Sequence, residues 1–337
     1  MTIALATLTR NTARVATTVI LTLVPAYLGM VALAVARELW LRAPLDWTVL
    51  RQDPLDPHNA TVGLMYVGFL LLELVAHGWN NSPLRRILFG DRRSDRSDLF
   101  YIIADATGLM KLLIVVMTCG VSAAFEAAID AGNMRLAADL PLWAAVPLLY
   151  VSVDFATYWG HRFMHSPLMW PLHAIHHAAE DMTVLTSSRH HPFDNFFGSV
   201  WFLLPAGLLG FSPDAMGWAI LFLTAHSFLL HSSLPFPVWL ERYVVAGPRA
   251  HRIHHAADPA CYDCNFGLFV IWDRMFGTYR MQGDVTGLAT GVADQRYETG
   301  RPFHDMLEVT RIWLDGLREV FPAPIGESVS RSRIVSP

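Results

Sequence analysis

Histidines recur at helical spacing through the middle of this chain, and this pattern constrains the fold more than any other feature. Four short motifs carry them, in the order HRFMH, HAIHH, HSFLLH and HRIHH. On an α-helix, side chains three and four residues apart share a face, so HRFMH and the two HxxHH motifs each present their imidazoles in one direction. The pattern therefore predicts helices whose histidine-bearing faces meet.

A metal site explains why so many imidazoles occur together. Buried imidazoles are costly unless their nitrogens are bound, and neutral imidazole is a common ligand for iron, zinc and copper. The motifs fall into two similar halves, which suits two metal ions better than one. The candidate ligands are His161, His165, His173, His176, His177, His191, His226, His231, His251, His254 and His255.

Two of these candidates rest on weaker spacing than the others. His191 follows His190 in SSRHHPFDN, where Pro192 indicates a turn, so either histidine can complete a ligand shell and we favour His191. His226 and His231 are five residues apart, which is not ideal for one helix face. Of that pair, His231 is the stronger candidate.

Asp154 and Tyr158 lie on the same predicted helical stripe as His161 and His165. We expect both to take part in catalysis. Asp154 is expected to fix the tautomer of a ligand imidazole without binding the metal itself. The alternative for Asp154 is a hydrogen bond between two helices. Cys261 and Cys264 form a C-x-x-C, but there is no second pair that would complete a metal or redox motif.

The composition predicts an all-α integral membrane protein. Hydrophobic residues make up 53% of the 337 residues and charged residues only 16%, with a mean hydropathy of +0.34. The net charge of −4 is weak and gives no indication of a nucleic-acid-binding surface. We expect about four transmembrane helices, a re-entrant helical hairpin and a cytosolic helical cap that carries a histidine-rich dimetal site. The spans are 15–36, 61–79, 99–125 and 140–159, and the hairpin is 196–209 with 215–230.

Arginine placement predicts the orientation. Five arginines between residues 85 and 96 indicate a cytoplasmic loop, which puts the metal site on the cytoplasmic side of a multi-pass protein. We divide the chain into N-terminal membrane helices with a basic cytosolic loop (1–98), a catalytic domain (99–282) and a C-terminal helix with a flexible tail (283–337).

The four motifs in this order resemble the fatty acid hydroxylase/sterol desaturase superfamily of integral membrane di-iron oxygenases. After HRIHH come NFG and WDRMFGT, which are similar to the branch containing sterol desaturases and alkylglycerol monooxygenase. The resemblance implies two iron ions, which zinc can replace in a purified protein. It implies O2-dependent hydroxylation or desaturation of a sterol, fatty acyl or related lipid. It also implies nine ligands: His161, His165, His173, His176, His177, His231, His251, His254 and His255.

The reaction needs two electrons from outside the chain, because no dinucleotide-binding motif occurs in it. We expect a ferredoxin-like or cytochrome b5-like donor, or a pterin if the enzyme cleaves ether lipids like alkylglycerol monooxygenase. A zinc-dependent membrane hydrolase is an alternative, although the sequence contains no HExxH. A transporter that uses the histidines as a relay is another.

Overall fold

The computed structural model describes residues 57–90, 92–132, 134–281, 285 and 287–320. Within these ranges the chain is helical and contains no β-strand, so the all-α prediction is confirmed for them. The helices are α1 (Pro57–His77), α2 (Pro83–Phe89), α3 (Arg93–Ala106), α4 (Leu109–Met117), α5 (Val121–Ala131), α6 (Leu142–Met164), α7 (Trp170–His177), α8 (Pro192–Leu209), α9 (Pro213–His231), α10 (Val238–Tyr243), α11 (Pro248–His254), α12 (Val270–Phe276) and α13 (Pro302–Val320).

Proline and a capping side chain set the start of several helices. Pro213 opens α9, and the side chain of Ser212 accepts a hydrogen bond from Ala215 N at 3.3 Å. Ser82 caps α2 in the same way, with Pro83 as the first helical residue. Proline suits this position because its fixed φ matches the helix and its missing N–H is not needed there.

Among the described residues, one helix is long and apolar enough by itself to cross a membrane, at Ala60–His77 of α1. The predicted span 61–79 falls on it, whereas the predicted span 15–36 lies outside the described residues. Helices α3 and α4 could form a second span together, although they meet at an angle of 84°. These two helices and α5 take up the predicted span 99–125.

Two glycines break that predicted span into three helices. Gly108 (φ 75°) precedes α4 and Gly120 (φ 80°) precedes α5, both in the left-handed region that side chains with a Cβ rarely adopt. The apolar run is continuous, so its hydropathy alone does not reveal these turns. The predicted span 140–159 corresponds to α6, which continues to Met164.

Helix α6 is the central element, and α8 and α9 pack against it. Helices α8 and α9 correspond to the two arms of the predicted hairpin, and only residues 210–212 separate them. Buried side chains of α6 and α9 share one apolar core, including Leu149, Val153, Ala215 and Ala219.

The C-terminal helix α13 closes the other side of the molecule. It packs against α7 and α3, and Met306 and Val309 enter the same apolar core as Leu172 and Ile175. The histidine motifs lie at the carboxyl-terminal parts of α6, α7, α9 and α11. These parts of the helices meet in the interior.

Candidate metal centre

Nine histidines converge in two groups at the ends of four helices. The first group is His161, His165, His173, His177 and His254, and the second is His176, His231, His251 and His255. In each group, one ligand nitrogen of every histidine lies within 4.8 Å of the others. The nine are the histidines that the family resemblance implied, and they come from both halves of the chain.

The two groups are in contact with each other. The rings of His177 and His255 are stacked with centroids 4.2 Å apart, and those of His173 and His176 are 5.3 Å apart. Helical geometry explains how each HxxHH motif serves both groups. Residues i and i+4 are about 40° apart around a helix, whereas i+3 points about 60° to the other side of i. Accordingly, His173 and His177 join one group and His176 the other.

Hydrogen bonds from Nδ1 orient most of these rings. His161 donates to Phe266 O at 3.1 Å, His176 to Arg189 O at 3.2 Å, and His254 to Cys264 O at 2.6 Å. His231 donates to Ser227 O at 2.8 Å. A histidine whose Nδ1–H is engaged in this way presents the lone pair of Nε2, the form that binds a metal.

The inward nitrogens fit a metal ion. Within the described chain, Nε2 of His161, His173 and His254 is buried without a hydrogen-bond partner, and so is Nδ1 of His255. In the second group, Nε2 of His231 lies 3.2 Å from Nε2 of His176 and 3.0 Å from that of His251. Converging lone pairs are unfavourable unless a cation lies between them. The donor set is therefore suited to two transition-metal ions.

Burial keeps the imidazoles neutral. It lowers the pKa of His176, His177, His251 and His255 well below the ordinary histidine value, and the neighbouring imidazoles lower it further. Neutral rings are the ligand form, so no proton has to be displaced when a metal binds at pH 7.

Asp194, at the start of α8, links the site to a tenth imidazole. Its Oδ2 accepts from Nδ1 of His173 at 3.0 Å and from Nδ1 of His190 at 2.8 Å. The ring of His190 is stacked on His176, with centroids 4.4 Å apart. Sequence reasoning did not identify Asp194. The available signal was its spacing of four residues from His190 in RHHPFD.

His191 and His226 lie outside both groups. His191 caps α8, where its Nδ1 accepts from Phe193 N at 3.1 Å, and its Nε2 donates to Met306 O at 3.1 Å. Nε2 of His226 donates to Ala246 O at 2.8 Å, and its Nδ1 accepts from the Tyr150 hydroxyl. Five residues place His226 about 140° from His231 around α9, which explains their different environments.

Asp154 contacts the chain that follows the last histidine motif rather than an imidazole. Its oxygens accept from Leu268 N at 2.7 Å, Phe269 N at 2.9 Å and Trp272 Nε1 at 2.8 Å. The Tyr158 hydroxyl lies 3.0 Å from Thr278 Oγ1 in the same part of the chain. These contacts attach the segment that contains Phe266 to α6. The same segment orients His161, because Phe266 O accepts from it.

Two cavities reach the histidines from different directions. The first, of about 320 Å³, meets His161 and His173 as well as His176, His231 and His251, and its other walls are mostly apolar. Those walls include Val153, Met164, Trp201, Phe202, Leu223 and Leu268. The second, of about 290 Å³, reaches His165, His177 and His254 and is lined in part by polar groups. An apolar molecule therefore has access to both histidine groups at once.

Comparison with known proteins agrees with this geometry. Residues 146–278, which contain all nine clustered histidines, match the fatty acid hydroxylase family. This segment belongs to that family. The matched segment begins within α6 and ends just after α12.

Several relatives of the domain are named for lipid chemistry. An alkylglycerol monooxygenase of Danio rerio is 30% identical over 65% of this chain and 47% of its own length. An ornithine lipid hydroxylase, OlsE, of Rhizobium tropici is 30% identical over 41% of this chain and 43% of its own. A Delta(7)-sterol 5(6)-desaturase, ERG3A, of Gibberella zeae is 31% identical over 40% and 37%. The chain spans less than half of each relative, and no solved structure matches it.

Proposed function

We propose that this chain is a membrane-bound, O2-dependent oxidoreductase that hydroxylates or desaturates a C–H bond of a lipid. Two iron ions are held by the nine clustered histidines, one ion in each group. The observation that carries this proposal is the apolar cavity that meets histidines of both groups. Aliphatic C–H bonds are otherwise unreactive, and iron supplies the redox chemistry with O2 that zinc lacks.

The apolar cavity binds and orients the lipid in this proposal. Trp201 and Phe202 from α8 and Leu223 from α9 enclose the reacting part of the chain and exclude water from it. His190 and Asp194 also face the cavity, where they give its histidine end a polar edge. A lipid tail in this cavity would therefore lie with one of its carbons beside both histidine groups.

Electrons come from a separate donor, ferredoxin-like or cytochrome b5-like, or from a pterin. The second cavity supports this role, because it reaches His165, His177 and His254 without passing through the apolar one. Trp170 lines this second cavity, with its ring centroid 5.2 Å from that of His165 and 5.1 Å from that of His177.

The membrane location is supported by α1 and by the composition. Large apolar side chains of α1 are exposed, and α9 packs against this helix. In this proposal the protein is multi-pass and its metal site lies on the cytoplasmic side, with the arginines of residues 85–96 at the same surface.

Ether-lipid cleavage is a second candidate function. It is favoured by the similarity to alkylglycerol monooxygenases, which extends over 65% of this chain in the Danio rerio protein. Hydroxylation of the carbon next to an ether oxygen leads to cleavage, so the two candidates differ in substrate and product rather than in the site.

The test compares the lipids of cells that express the wild-type chain with those of a His176→Ala, His254→Ala variant. The variant removes one ligand from each metal ion. The matched control, His226→Ala with His304→Ala, removes two histidines that lie outside both groups. We expect the wild type and the control to produce a lipid that has gained one oxygen atom or lost two hydrogens, and the variant to produce none.

Iron content and O2 uptake separate this proposal from the hydrolase and transporter alternatives. We expect about two iron ions per wild-type chain and O2 uptake that depends on lipid and reductant. The proposal is contradicted if the strains that express the wild type, the variant and the control have the same lipid profile. It is also contradicted if turnover proceeds without O2.

A further inference from the structure

A polar cavity lies where α1 ends and α2 begins, and its lining includes none of the clustered histidines. It measures about 390 Å³. Four guanidinium groups line it, those of Arg85, Arg86, Arg92 and Arg252, together with the single carboxylate of Asp181. The lining side chains thus carry four positive charges and one negative charge, an excess of three. A cavity with this charge selects an anion.

Arg252 makes the strongest case for an anionic ligand. It is half-buried on α11, and no carboxylate of the described chain forms an ion pair with it. Glu73 lies nearby, but its Oε1 accepts from Ser233 N at 2.6 Å and from Ser233 Oγ at 2.9 Å. Arg86 also lines the cavity, and its positive charge acts against that of Arg252.

Two acidic side chains near the cavity are engaged with the other arginines of its lining. Arg86 donates to Asp95 at 3.1 Å, and both Arg86 and Arg92 form ion pairs with Asp181. Arg85 is exposed and has no carboxylate partner in the described part of the chain. Arg85 and Arg252 therefore keep guanidinium groups available, and these groups match the geometry of phosphate oxygens.

Exposed apolar side chains next to the cavity suit it to the surface of a membrane. Trp79 and Phe89 are 45% and 74% exposed and contact each other with ring centroids 6.0 Å apart. They follow α1, the one described helix that is long and apolar enough by itself to cross a membrane. Exposed aromatic rings beside arginines at the end of an apolar helix are typical of the headgroup layer.

We propose that this cavity binds the phosphate group of a membrane phospholipid. Arg85 and Arg252 contact the phosphate oxygens, and the side-chain amides of Asn80 and Asn81 are available to the rest of the headgroup. The acyl chains lie along the exposed apolar surface of α1. This site is separate from the oxygenase reaction, so its test measures binding and not turnover.

The experiment is native mass spectrometry of the full chain in detergent, with phosphatidylglycerol or with a diacylglycerol that has the same acyl chains. Inorganic phosphate serves as the probe for a free anion. We expect phosphatidylglycerol to bind at least about tenfold more tightly than diacylglycerol, since a hydrogen bond to a charged group contributes at least that much. We also expect millimolar phosphate to compete with it. If phosphate binds but phosphatidylglycerol binds no more tightly than diacylglycerol, the proposal that the phosphate belongs to a lipid is overturned. If both lipids bind equally and phosphate does not bind, the proposed site is overturned.

Variants assign the binding to this cavity. Arg252→Gln and Arg85→Gln should each weaken phosphatidylglycerol binding about tenfold. Arg85 is exposed, so its replacement leaves the fold intact even if the Arg252 variant does not fold. The control is Arg318→Gln, because Arg318 is an exposed arginine on α13 that pairs with Asp315. Unchanged phosphatidylglycerol affinity in Arg85→Gln and in folded Arg252→Gln overturns the proposal.

Discussion

Asp194 holds two imidazoles through one carboxylate oxygen. It fixes the ring of His173, whose opposite nitrogen is buried and faces the first histidine group, and it fixes His190 against His176. Carboxylates that orient metal-binding histidines also raise the basicity of the ligand. Asp194 therefore affects both histidine groups, although it belongs to neither of them.

Replacing Asp194 with Asn should weaken metal binding by roughly 10-fold to 100-fold, because a neutral amide oxygen accepts from the two rings more weakly than a carboxylate oxygen does. Titration of the metal-free protein with Fe²⁺ or Zn²⁺ measures this change. Asp214→Asn is the matched control, since Asp214 is exposed at the start of α9. Equal metal affinity in the two variants would show that Asp194 does not position the ligands.

The motifs predicted the clustered histidines together with His191 and His226, which lie outside both groups, and the family resemblance implied the nine. Helical geometry is local, and three of the motifs follow it strictly. Spacing did not predict how the nine divide into two groups, since that depends on how α6, α7, α9 and α11 meet. Nor did it predict the carbonyl acceptors such as Phe266 O and Cys264 O. Those contacts join residues that are ten or more positions apart and leave no repeating signal in the sequence.

At the scale of elements, the connection between α7 and α8 depends on one buried arginine. Arg189 donates through Nε to Ile175 O at 2.8 Å and through Nη1 to Asp98 at 3.2 Å, and it forms an ion pair with Glu298. Its own carbonyl accepts from His176. One side chain thus joins α3, α7 and the segment before α13 beside a candidate metal ligand.

Arg189→Met should lower the free energy of unfolding by about 3–5 kcal/mol, because it leaves the buried carboxylates of Asp98 and Glu298 without a cation. Denaturant unfolding in detergent measures the change. Arg318→Met is the control and should have little effect, since that arginine is exposed. A loss as small as that of the control would show that Asp98 and Glu298 find other partners.

The helices themselves were largely predictable, since apolar runs and prolines mark α1, α6, α8 and α9. The connection that contains Arg189 was not, because its partners Asp98 and Glu298 lie 91 and 109 residues away in the sequence. The breaks at Gly108 and Gly120 were also missed. A long apolar run gives the same hydropathy whether it is straight or bent.

At the scale of the whole molecule, the packed helices form an apolar cavity next to both histidine groups. No single helix contains this cavity. Its walls come from α6, α8 and α9 and from the segment after the last motif. The family resemblance implied a lipid substrate, but the sequence could not name the residues that enclose it. Each of these helices is apolar on several faces, so composition does not distinguish the face toward the cavity from the faces toward neighbours.

Gly198 offers a way to fill this cavity without disturbing the rest. It lies on α8 and lines the cavity, and a Cβ added there has no atom within 4 Å. Gly198→Leu should therefore place its side chain in the space for the lipid while leaving both histidine groups intact. Because misplacement of a substrate by about 1 Å can reduce the rate a hundredfold, we expect product formation to fall by about that factor. Quantitative lipid analysis and metal content measure the two effects.

Gly217→Leu on α9 is the control for this experiment, because it is also open to substitution but does not line the cavity. Both variants should retain the metal content of the wild type, and both replace a helical glycine with a better helix former. Only Gly198→Leu should lose product. If its product matches that of Gly217→Leu, the lipid reaches the metal ions by another route, and the cavity that reaches His165, His177 and His254 becomes the alternative.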